Sequence, residues 1–180
     1  MSSPQLPKTS VTFRLDPEKL KLLHEEASNK QISLNTLANQ IISSYVDWHS
    51  SASQAGFVSL RKQLIMRLLE KFSGKEILSI SEEIAGATTK DIVLLLRKKY
   101  TIESSLNVIE TWIKISGYPY SHQIDGTLHS FIIQHEMGPK WSIYLSGLYK
   151  HIFDCFGLKK VDFDYTEKSL SFEVDTEKPT

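Results

Sequence analysis

From Ser10 to Leu15 apolar and polar residues alternate, which in an extended chain puts Val11, Phe13 and Leu15 on one side and Ser10, Thr12 and Arg14 on the other. The spacing then turns helical. Asp16-Pro17 is a helix start, because Asp accepts from free amides and Pro at the first helical position loses no bond, and Leu20, Leu23 and Ala27 follow on one face. Ser33 opens a second helix, where Leu34, Leu37, Ala38, Ile41, Ile42, Tyr45 and Val46 make a stripe too broad for one short partner helix. A six-residue strand with no second strand within reach leaves its ladder groups unpaired. The pattern therefore predicts that a second copy supplies the partner strand, antiparallel across a two-fold axis.

The small polar run 50–56 has no apolar period and predicts a linker between a domain at 1–49 and another at 57–180. Beyond it, Leu60, Leu64, Ile65, Leu68, Leu69 and Phe72 predict a helix from Phe57 to the Ser73-Gly74 break. Two more helices are expected at Glu76–Ile84 and Thr89–Lys98, and a fourth from Ser104 or Ser105 to Gly117. The period then becomes two. Tyr118–Ile124 and Thr127–His135 flank Asp125-Gly126, a hairpin signal that would set His122 opposite His129 and Tyr120 opposite Phe131. A helix follows Gly138-Pro139, carrying Trp141, Tyr144, Leu145, Leu148, Ile152, Phe153 and Phe156. Val161, Phe163 and Tyr165 then answer Leu170, Phe172 and Val174 across a turn at 166–169. The expected fold is α+β: an N-terminal strand and helix pair, a helical segment, then a ββαββ antiparallel sheet with one face under the Trp141 helix.

Composition narrows this picture only slightly. The 41% hydrophobic content suits a globular chain, the first residues lack a leader pattern, and no apolar run could cross a bilayer, so a cytoplasmic protein without a membrane role is expected. Cys155 is the sole cysteine, which excludes an internal disulfide. Formal net charge is zero, and residues 1–50 alone balance Lys8, Arg14, Lys19, Lys21 and Lys30 against Asp16, Glu18, Glu25, Glu26 and Asp47. There is no phosphate loop, no Gly-x-Ser-x-Gly elbow and no His-Glu-x-x-His, and Glu136 beside Lys140 reads as a surface pair; no enzyme and no cofactor are expected. Tyr118, Tyr120, Phe131, Trp141, Tyr144 and Phe153 are either core or the lining of a small-molecule effector pocket. Opposed His122 and His129 would lie about 5 Å apart at Cβ, near enough to share a metal ion. His135, roughly 20 Å along the strand, cannot join them.

The segments SVTFRLDPEKLKLL and ISLNTLANQIISSYV together resemble the ribbon-helix-helix DNA-binding domain of the Arc, CopG and MetJ group, over roughly residues 9 to 48. The resemblance implies a homodimeric transcription regulator that inserts its paired strands into the major groove of double-stranded DNA. Ser10, Thr12 and Arg14 would then face base edges, and the second helix start, Ser33, Leu34 and Asn35, would hold a phosphate. Lys30 and Gln31 stand where that family commonly has Gly, and a left-handed residue there costs roughly 1 kcal/mol. The same module occurs in antitoxins of toxin–antitoxin pairs. That role, and a protein-interaction or assembly module without DNA binding, are the alternatives. The overall plan also resembles nickel-responsive repressors, but their closely spaced His and Cys cluster is missing here. Whether the C-terminal domain senses a ligand or builds higher oligomers stays open.

Overall fold

The computed structural model describes residues 9–158 and 160–177, which divide into two units between Ser43 and Ser44.

In the first unit Asp16 caps helix α1 (Pro17–Asn29), accepting from the amides of Glu18 at 2.9 Å and Lys19 at 3.4 Å. The exit is a Schellman turn: Gln31 N–H donates to Ser28 O and Ile32 N–H to Ala27 O, both at 3.0 Å. That geometry puts Gln31 at φ +55°, the left-handed position that glycine usually fills. Helix α2 (Leu34–Ser44) follows, with Ser33 Oγ accepting from Thr36 N–H at 3.0 Å. Residues 9–16 carry no regular secondary structure, so the strand expected at Ser10–Leu15 is not formed in the single chain. The reason is physical: a strand exists through its ladder, and no described strand precedes Tyr120.

The second unit opens on a π-helical turn (Tyr45–His49) and the short α3 (Ser50–Ala52), so the run expected as linker begins helical. Trp48 is buried here with Val93 and Val108, its ring 4.7 Å from that of Phe57. Helix α4 is shorter than its apolar pattern suggested, Lys62–Leu69, because 57–61 run without helix into Arg61. Lys140 closes its C-terminal end by donating to the carbonyls of Leu69 at 3.2 Å, Glu70 at 3.1 Å and Phe72 at 2.5 Å. Its bonds thus go to those carbonyls rather than to Glu136.

The two helices expected between Glu76 and Lys98 are one, α5 (Gly74–Arg97). No proline interrupts it, Gly86 stays in the helical range, and Ser73 with Glu76 forms a reciprocal capping box at its start. Its buried stripe is Ile77, Ser81, Ala85, Thr89 and Val93, narrow in the middle. Against it lies Gly147, where a Cβ would overlap Ser81 and come within 2.8 Å of Leu78 Cδ1. Helix α6 (Ile102–Ile115) starts two or three residues earlier than expected, since Thr101 Oγ1 accepts from Ser104 N–H at 3.2 Å.

Strands β1 (Tyr120–Asp125), β2 (Leu128–Gln134), β3 (Phe163–Tyr165) and β4 (Ser169–Asp175) form one antiparallel sheet in the order β1-β2-β4-β3, with α7 (Pro139–Cys155) connecting β2 to β3. This bears out the mixed α+β reading and the ββαββ order. The β3–β4 register agrees with the expectation, Phe163 facing Phe172 and Tyr165 facing Leu170. The first hairpin does not: Asp125 pairs with Leu128, so His122 faces Phe131 and His129 faces Ile124. The turn is Gly126-Thr127, with Gly126 at φ +60°. Glycine first is the pattern of a II′ turn, and it spares Asp125 the left-handed conformation that an Asp-Gly I′ turn would impose. A shift of two residues keeps every side chain on its expected face. Phe131, Ile133, Leu170, Phe172 and Val174 meet Leu106, Ile109 and Ile113 of α6 and Leu145, Tyr149, Ile152 and Phe153 of α7 in the main core. Among the described residues no helix is long and apolar enough to cross a membrane.

Candidate nucleic-acid interface

Ser10, Thr12 and Arg14 are all exposed, and no ion pair involves Arg14 among the described residues. Their alternate neighbours are exposed as well: Val11 by 72%, Phe13 by 63% and Leu15 by 49%. Leu22, Ile41 and Ile42 add further open apolar surface, and within residues 9–43 only Ala27 and Leu37 are buried. The apolar half of the expected ribbon therefore has no cover in one chain.

At the start of α2, Ser33 and Asn35 are exposed and Leu34 is half-buried. Ser33 Oγ lies 2.8 Å from Thr36 Oγ1 besides capping Thr36 N–H, and Asn35 O accepts from Asn39 Nδ2 at 2.8 Å. The amides of Leu34 and Asn35 sit in the first turn, where no carbonyl precedes them within the helix, and that turn holds no acidic residue. This is the local chemistry an anion needs. Two cations of the first unit are paired, Lys21 lying 3.9 Å from Glu25 and Lys30 2.7 Å from Glu26.

In the second unit the altered register still brings His122 and His129 together, now as diagonal neighbours. His122 Nε2 is 3.0 Å from His129 Nδ1, and His122 Nδ1 is 3.3 Å from Glu110 Oε2. Tyr120 OH and Lys114 Nζ both donate to Glu110 Oε1, at 2.9 and 3.0 Å. Despite its partial burial these donors hold the Glu110 carboxyl below its usual range. Burial, then the neighbouring His122, lowers the pKa of His129. Among the described residues no three His, Cys, Asp or Glu side chains converge as a metal-ligand set. The pair is thus one end of a hydrogen-bonded chain to Glu110, and His122 lies flat on Phe131 with ring centroids 3.8 Å apart.

His135 is fully buried and separate from that chain. Its Nδ1 accepts from Met137 N–H at 3.0 Å, so Nε2 carries the proton and donates to Ser142 Oγ at 2.8 Å. Burial foremost, with Lys62 adding to it, lowers its pKa to about 4.

A groove of about 720 Å³ also opens in this unit. Of the six aromatic residues expected as core or pocket lining, Tyr118, Trp141 and Tyr144 line it, whereas Tyr120, Phe131 and Phe153 do not. Trp48, Trp112 and Tyr149 line it too, and no spacing signal in the sequence connects the π-helical turn, α6 and α7 that carry them. No family model matches the chain, and no curated protein matches it.

Proposed function

We propose that the chain is a sequence-specific DNA-binding transcription regulator of ribbon-helix-helix type, active as a homodimer. The carrying observation is the exposed alternation of residues 10–15: three apolar side chains with no cover, interleaved with Ser10, Thr12 and Arg14, in a unit with almost no core of its own. Two copies pairing along this segment would bury Val11, Phe13 and Leu15 against the helices and turn the polar triplet outward. At roughly 25 cal/mol per Å², covering three such side chains and the neighbouring helix faces in both copies is enough to drive association. Arg14 then makes the discriminating contact, bidentate to guanine, while the first turn of α2 takes a backbone phosphate on its free amides.

The test is binding of DNA selected from a genomic pool, measured at fixed salt. Arg14→Ala should lose about 1 to 3 kcal/mol of specific affinity and relax the preference at one base position. Unchanged specific binding would remove the base-reading role.

A second reading, an assembly module that binds no DNA, draws on the zero net charge and on exposed Leu60, Leu64 and Leu68 in the second unit. It predicts self-association with no shift of any DNA fragment even at low salt.

A further inference from the structure

The groove of the second unit has a chemistry the DNA-binding reading does not use. Its walls are apolar and aromatic, with Trp48, Trp112, Trp141 and Ile84 among them, and its size falls within that of small-molecule sites, roughly 300 to 1,000 Å³. One buried donor on the wall is idle: among the described residues Tyr149 OH has no hydrogen-bond partner. Tyr149 is 2% exposed, so its hydroxyl has given up water without replacing it, a cost of about 1 to 3 kcal/mol that a bound acceptor would relieve. The wall also holds one permanent charge. Lys62 lies over the Tyr118 ring at 4.9 Å, forms no ion pair among the described residues, and no Asp or Glu lines the groove.

A donor and a cation on a mostly apolar wall call for a ligand that brings an acceptor and negative charge on an apolar body. We propose that this groove binds a small amphipathic carboxylate, its ring or alkyl body against the tryptophans and its carboxylate held by Lys62, with Tyr149 donating to an acceptor on the same molecule. Lys62 is exposed to solvent and needs no ligand to balance its charge, but it is a cation that a carboxylate on this wall can reach, and a dianion would have only one charged partner.

The probe is 1-naphthoate, titrated into the full chain by calorimetry and by quenching of tryptophan fluorescence, with neutral 1-naphthamide as its isostere. The titration contains no DNA, so its outcome is separate from that of the Arg14 assay. One molecule should bind per chain, and naphthamide should bind about tenfold more weakly. Lys62→Met should weaken naphthoate about tenfold and leave naphthamide unchanged, with Lys62→Arg retaining binding of the acid. Tyr149→Phe should weaken both probes severalfold while melting no lower than wild type, because it removes a hydroxyl that has no partner. The proposal is overturned if neither probe gives saturable heat or quenching up to millimolar concentration. It is equally overturned if Lys62→Met and Tyr149→Phe leave naphthoate binding as it was, or if Lys62→Met affects acid and amide alike.

Discussion

His135 shows how one side chain can make stability depend on pH. Its Nδ1 must stay unprotonated to receive Met137 N–H, so a second proton would set two donors against each other inside the core. The folded pKa, about 4, lies below the ordinary 6.5. The unfolded chain therefore binds the extra proton first as pH falls. The stabilisation is complete above about pH 6.5 and drains away toward pH 4, about 2 kcal/mol being lost between pH 7.5 and 5. Denaturant titrations at those two pH values would show the loss, and His135→Gln should flatten the slope whatever it does to the baseline. His129 shifts in the same direction and adds to the effect. Gln31 gives a second residue-level prediction. It occupies the left-handed position at φ +55° of a Schellman turn, as Gly117 and Gly157 do after α6 and α7. Gln31→Gly should raise stability by roughly 0.5 to 1 kcal/mol, read as a higher denaturation midpoint at unchanged slope. The cost at this turn was legible from the missing glycine alone, since Asp16, Lys30 and Ser33 bracket the turn in the sequence.

Among the elements, α5 and α7 depend on each other for close approach. Ser81 is fully buried, and the contact at Gly147 leaves no room for even a methyl group. Gly147→Ala should destabilise by about 1 to 3 kcal/mol, whereas Gly86→Ala, with 3.6 Å to the His151 ring, should be neutral or mildly stabilising. Thermal melts of the two variants would separate close packing from simple helix propensity. The single helix α5 also explains a misreading of the pattern. Small residues Ala85, Gly86, Ala87, Thr88 and Thr89 interrupt the apolar stripe and look like a break, yet two of them, Ala85 and Thr89, continue the buried face of the helix. Periodicity counts large apolar residues and is blind to a stripe of small ones. The first hairpin illustrates the converse. Its strands and faces followed from alternation, while the register depended on which side chain would accept positive φ, a difference of two residues that face parity cannot detect.

For the whole molecule, the exposed apolar side of residues 11–15 implies that the first unit's stability rises with concentration. The melting temperature of the full chain should increase over a hundredfold range of protein concentration, and sedimentation should find dimer; a folded monomer throughout would sink the proposed architecture. With five basic and five acidic residues in the first fifty, the salt dependence of DNA binding should be shallow, a slope of magnitude well below that of a protein contacting six or more phosphates. Titrating affinity against salt would measure it.

The sequence by itself determined the helix starts at Asp16, Ser33 and Gly138-Pro139, the ββαββ order and the side of each strand that faces the core, because those properties follow from caps and periods within a few residues. It also singled out His122 and His129, though for a metal that the described residues give no third ligand. Tertiary structure decided what depends on distant chain segments meeting: the strand order β1-β2-β4-β3, the fusion of two expected helices into α5, the bond from His122 to Glu110, and the groove lined from α3, α4, α5, α6 and α7. The strand at residues 10–15 belongs to a third category. Its alternation is written in the sequence, but a ladder needs a second set of amides and carbonyls, and one copy of the chain does not contain them.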